Sequence, residues 1–139
     1  MDMDFVLAPD DNYAQHAAVV VASILAHNSQ HNVRIWILDG GLSACSVESL
    51  KKTAKNVEFL KIDVKTFEKF PSNGYISVST WYRFSISKLM PTSVDRVLYL
   101  DCDVAVAADV SELFETAICS CNMKQLTYTG KDPNIEKAL

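Results

Sequence analysis

At 139 residues, 49% of them hydrophobic, the chain can bury one real core and no more than one domain. A formal net charge of −4, with no Lys/Arg cluster, argues against a nucleic-acid binder, and no apolar run reaches the ~20 residues that span a membrane. The N-terminus carries Asp2 and Asp4 where a signal peptide would carry a basic region, so a soluble, cytoplasmic protein is expected.

In chain order, strand and helix signals alternate. Asp4 to Ala8 reads as a short apolar strand closed by Pro9. From Tyr13 to His27, Ala17, Val20, Val21, Ile24 and Leu25 recur at helical spacing, dense enough for a helix buried on most faces. Val33 to Leu38 is a second strand, with Asp39-Gly40-Gly41 as its turn, and Ser43 can cap a helix running to about Lys55. Val57 to Ile62 is a third strand. Val64 to Phe70 is a helical turn stopped by Pro71, and Ser72-Asn73-Gly74 is a loop. A second buried helix is predicted over Ser79 to Leu89, with Tyr82, Ile86 and Leu89 on one face and Pro91 at its end. A strand over Asp95 to Leu100 and a helical turn from Ser111 to Phe114 follow. This alternation implies an α/β domain, a mostly parallel sheet with helices on both faces. Ligands bind such sheets at the carboxyl ends of the strands.

Two loops lie there. After the last strand come Asp101 and Asp103, flanking Cys102. In extended chain, carboxylates at i and i+2 share one side of the backbone and repel unless a hard divalent cation sits between them. Such a cation leaves positions open for phosphate oxygens, so a metal-diphosphate site is expected. The other D-x-D, Asp2-Met3-Asp4, reads as a solvated chain end. After the first strand comes Asp10-Asp11-Asn12-Tyr13, either a helix N-cap or a carboxylate and an amide facing a polar heterocycle, with Tyr13 to stack on it. Arg83, within Trp81-Tyr82-Arg83-Phe84, either pairs with a structural carboxylate or points into the site. The four cysteines, at 45, 102, 119 and 121, lack zinc-like spacing.

The segments Ala8-Pro9-Asp10-Asp11-Asn12-Tyr13, Ile76 to Phe84 and Arg96 to Val104, in that order, resemble glycosyltransferase family 8, above all its bacterial lipopolysaccharide galactosyl- and glucosyltransferases. The resemblance implies a GT-A nucleotide-sugar-binding domain over residues 1–115 and a divergent segment over 116–139. It implies that Asp10 and Asn12 hold uracil with Tyr13 stacked on it, that Arg83 reaches the donor sugar as the catalytic residue, and that the Cys102 backbone lies near the ribose. Asp101 and Asp103 would ligate Mn²⁺ (or Mg²⁺) on the diphosphate of UDP-galactose or UDP-glucose. A saccharide acceptor, with lipopolysaccharide core as the family-level expectation, would receive the sugar with retention at the anomeric carbon. Full-length relatives would lie at the inner membrane.

Family members run about twice this length, and their second half supplies a His to the metal shell and the acceptor surface. Neither is recognisable after residue 115. A truncated domain, weak or inactive in transfer and prone to self-association through an exposed sheet edge, is therefore expected. The alternatives are a haloacid-dehalogenase-type phosphatase, which also places D-x-D after an apolar strand, and a non-catalytic receiver-like module. The first normally has Thr or Val where Ala105 stands; the second would need Asp63 as phospho-acceptor, badly spaced from Asp10-Asp11.

Overall fold

The structure, a computed structural model, describes residues 1–72 and 77–116. Its sheet has four parallel strands: β1 (Asp2–Leu7), β2 (Asn32–Asp39), β3 (Val57–Lys61) and β4 (Leu98–Tyr99), in the order β3-β2-β1-β4. Helix α1 (Ala14–Asn28) joins β1 to β2 and α2 (Ala44–Thr53) joins β2 to β3. The longer route from β3 to β4 passes through 3₁₀ segments at Val64–Phe67 and Val78–Ser85 and the single turn α3 (Ile86–Leu89). The expected α/β architecture is present. No helix of the described residues is long and apolar enough to cross a membrane.

Alternation along the strands sorts the core into two layers. Phe5, Leu7, Ile35 and Ile37 pack against Val20, Val21 and Ile24 of α1 and Leu50 of α2. Val6, Trp36 and Leu38 face the other way, onto Phe67, Phe70, Tyr82 and Ile86. Strands buried on both faces read as continuous apolar runs, which is what the segments at Val6 and Ile35 showed.

Three local expectations are corrected. The segment from Val78 to Ser85 is 3₁₀, and only its last turn, Ile86–Leu89, is α-helical. A 3₁₀ turn eclipses i and i+3. Here that stacks Trp81 on Phe84 (centroids 6.0 Å apart, planes at 16°) and lets Arg83 Nε donate to the Thr80 carbonyl at 2.9 Å. The strand over Asp95 to Leu100 shortens to β4, two half-buried residues, although the Leu100 N–H still donates to the Val6 carbonyl at 3.0 Å. Arg96, before it, is drawn instead to the carbonyls of Phe114 and Thr116 at the end of α4 (Ser111–Glu115).

The third correction is Asp4. Far from being a solvated chain end, it lies in β1 and is 4% exposed. Parallel register sets it against Arg34, and Trp36 follows on the same face. Trp36 Nε1 donates to it at 2.7 Å and Arg34 Nη2 at 2.8 Å, so the buried carboxylate is paired and hydrogen-bonded. Ser43 caps α2 as expected, accepting from the Ser46 N–H. The loop expected at 72–74 falls partly, and Cys119 and Cys121 wholly, outside the described residues.

Beyond the last strand the chain turns back beside α1. The Val106 N–H donates to Ser23 Oγ and the Val110 N–H to Asn28 Oδ1, each at 3.0 Å. Asp109 accepts from Gln30 at 2.6 Å and lies 3.2 Å from His31 Nε2. Phe114 then packs edge-on against Phe5.

Candidate functional site

A cleft of about 420 Å³ opens at the carboxyl ends of β1 and β4. Three walls form it: the loop after β1, the 3₁₀ segment Val78–Ser85 with Ser77 before it, and the turn after β4. The residues singled out in the sequence meet in it. Asp10, Asn12 and Tyr13 come from the first wall, Arg83 from the second, and Asp101, Cys102 and Asp103 from the third.

Asp10 Oδ1 accepts from the Tyr13 N–H at 3.0 Å, which folds the loop into a turn just ahead of α1. The N-cap position itself belongs to Tyr13, whose side chain makes no capping bond. The ring, 48% exposed, tilts against His16 with centroids 5.4 Å apart and lines the cleft, where it can cover a planar ligand. Asp11 turns away. Its carboxylate accepts from Ser46 Oγ (2.6 Å) and the Ser43 N–H (2.9 Å), and these bonds hold its carboxyl below the usual value. Asp11 thus braces the Ser43 cap of α2 and ties to it the loop that carries its two neighbours.

The carboxylates of the D-x-D stand in a turn, not in the extended chain expected for them, and both are exposed in the cleft. Arg83 lies between walls. Its Nη2 donates to Asp101 Oδ1 at 3.1 Å, and its guanidinium sits 4.5 Å from the centroid of the Tyr99 ring. Of the two sequence alternatives for Arg83 the second holds: it points into the site, and the carboxylate it pairs with is a site residue, not a structural one. Burial pushes the Tyr99 hydroxyl upward, against the opposing pull of Arg83. Burial likewise pushes the Cys102 thiol up to about 12, with Asp101, Asp10 and Asp103 adding to it and the Ala8 N–H opposing. At neutral pH that sulfur is a protonated packing group and not a nucleophile.

Sequence reasoning passed over Ser77, Ser79, Thr80 and Tyr99, which also line the cleft. The signals were present: a hydroxyl run three to six residues before Arg83, and an aromatic two residues before Asp101. Ser77 Oγ and Ser79 Oγ lie 2.7 Å apart.

The cleft sets three carboxylates, at Asp10, Asp101 and Asp103, against one guanidinium. A diphosphate would be repelled by that balance unless a cation came with it. Two exposed carboxylates fit a hard divalent ion that takes its remaining ligands from substrate phosphates and water. Among the described residues no cluster of three or more His, Cys, Asp or Glu side chains is placed to hold a metal ion.

A parallel α/β sheet with helices over both faces and an acidic cleft at its strand ends is the class of fold that takes ligands at the carboxyl ends of its strands. Comparison with known proteins specifies it: residues 4–132 match the model of glycosyl transferase family 8, and the chain belongs to that family. It is similar to General stress protein A of Bacillus subtilis, 28% identical over 97% of this chain and 49% of that protein. Against a lipopolysaccharide 1,2-glucosyltransferase of Escherichia coli the identity is 29%, over 75% of this chain and 32% of the relative. The solved structure of galactosyltransferase LgtC with donor and acceptor sugar analogues superposes with a TM-score of 0.76 at 32% identity, covering 83% of this chain and 43% of LgtC. The chain thus spans half or less of the length of these relatives. As a glycosyltransferase-family domain it sets aside the phosphatase and receiver readings.

Proposed function

We propose that this chain binds a UDP-hexose, UDP-galactose or UDP-glucose, together with Mn²⁺ or Mg²⁺, for retaining transfer to a saccharide acceptor. One observation carries the reading: residues from three separate stretches of sequence, each with the chemistry for one part of such a donor, line one cleft. Asp10 and Asn12 supply an acceptor and an amide for the uracil edge, and the Tyr13 ring supplies a stacking face. The Cys102 backbone, at a position that lines the same cleft, would meet the ribose. Asp101 and Asp103 hold the metal, which would neutralise charge on the departing diphosphate. Arg83 orients the hexose and the adjoining phosphate as the catalytic side chain.

The acceptor in this reading is a lipopolysaccharide core sugar, a choice supported as far as lipopolysaccharide by the names of some of the relatives, and the site of action is the cytoplasm, where nucleotide sugars are at hand. The chain spans at most about half the length of these relatives, and we propose that this stretch carries the donor-binding part of the reaction and that, among the described residues, the edge of β4 offers a surface for self-association. Calorimetric titration with UDP and Mn²⁺ tests the central claim. Heat of binding that requires both components is expected; none at millimolar ligand would refute it.

A further inference from the structure

Arg83 is the one cation among the described residues of the cleft, and it is committed to Asp101, one of the two carboxylates assigned to the metal. The commitment is uneven along the side chain. Its Nε is fixed by the Thr80 carbonyl at 2.9 Å, and its guanidinium rests over the Tyr99 ring. Only Nη2 reaches Asp101 Oδ1, at 3.1 Å, in a pair whose side chains are 37% and 57% exposed. An ion pair that exposed is weak, and a divalent cation at the same carboxylate opposes it by like charge.

Resting on the donor-metal reading above, we propose that Arg83 is a counter-ion latch. In the metal-free protein its Nη2 occupies Asp101, and metal binding releases it toward the anionic donor, so that the metal binds before the sugar nucleotide or with it. A ligand shifts such an equilibrium only by its differential affinity for the two arrangements, and here the metal favours the released one. The coupling is reciprocal: the cation frees a donor ligand, and the donor, by holding Arg83, tightens the cation.

The test is Mn²⁺ affinity without nucleotide, by electron paramagnetic resonance or calorimetry, for the full chain and for Arg83→Gln and Arg83→Met. The second variant keeps an aliphatic stem on the Tyr99 ring. Loss of the competing guanidinium should tighten Mn²⁺ alone by about two- to fivefold, the scale of an exposed pair. At saturating Mn²⁺ the same variants should bind UDP-hexose more weakly. A second readout needs no variant: in ¹⁵N spectra of the wild-type chain, Mg²⁺ alone should shift the Arg83 guanidinium signals. Variants that bind Mn²⁺ no tighter than wild type, or guanidinium signals that stay put while Mg²⁺ binds, overturn the latch and leave the donor reading standing. A wild-type chain that binds neither metal nor UDP overturns both.

Discussion

Gly40 lies in the turn after β2, lining a smaller gap beside the Asp10–Asn12 loop, and replacing it with Ala isolates one steric contact. A Cβ built there would stand 2.5 Å from Cε2 and Cζ of Tyr82 and closer still to its hydroxyl. Tyr82 is 7% exposed and its ring is packed against Phe67, with centroids 5.5 Å apart, so it cannot simply swing away. Overpacking of this kind costs about 1–3 kcal/mol. For a chain of this size that is a fall in Tm of roughly 3–12 °C. The displaced ring would also crowd the gap between the Asp10–Asn12 loop and Leu42, so UDP affinity should drop with it. Thermal melts of Gly40→Ala, Tyr82→Leu and the double variant form the assay. The two changes should be non-additive, because removing the ring removes the clash. Gly41→Ala is the contrast: its Cβ would meet nothing within 4 Å, but its φ of +123° strains any side chain, and no change at Tyr82 should relieve that. A Gly40→Ala protein that melts with the wild type, or a double variant whose loss equals the sum, would refute the argument.

Asp4→Ala should cost about 2–3 kcal/mol in denaturant unfolding, since it strands the Trp36 indole N–H and the Arg34 guanidinium; Asp4→Asn, which keeps an acceptor, should lose less. Tyr13→Ala should weaken UDP binding by about 1–3 kcal/mol, roughly five- to 150-fold, while leaving the melting temperature unchanged, because the ring is exposed. Burial alone would push the Asp39 carboxyl up, but the Lys61 ammonium and the Leu42 and Gly41 N–H groups outweigh it and hold it below its ordinary value of 3.8. A carboxyl whose folded value is the lower one stabilises the fold above 3.8 and ceases to as pH falls through the folded value. The stability gap between wild type and Asp39→Asn should therefore be full at pH 6 and close in acid; a gap independent of pH would refute this. A thiol reagent at pH 8 should label exposed Cys45 well before Cys102, as peptide mass mapping would show.

The order of strands and helices was legible because strands such as Val33 to Leu38 are buried on both faces, and α1 carries its apolar residues at helical spacing. The cleft was legible for a related reason. In parallel sheets the loops at the carboxyl ends converge, so the residues behind Leu7 and Leu100 had to be neighbours. What stayed hidden depended on partners distant in sequence. Nothing near Asp4 announces that Arg34 and Trp36 will cover it, and only β-sheet register, 30 and 32 residues on, reveals it. Helical periodicity did not separate α from 3₁₀ at Val78–Ser85, where the stacking of Trp81 on Phe84 favours three residues per turn. Asp11 and Asp10 are adjacent and chemically identical, yet one braces α2 and the other lines the cleft. Only the arrival of Ser43 and Ser46 tells them apart.

The stretch leaving the cleft has few ladder bonds to lean on. Its amides at Val106 and Val110 are received by Ser23 and Asn28, two side chains of a helix acting as a makeshift strand edge. Side-chain anchors are individually cheaper to undo than a sheet register, so the amides of this stretch should exchange with solvent before those of the four strands. Whatever grips the acidic turn at one end of it would thereby slow breathing at the other, some distance down the first helix.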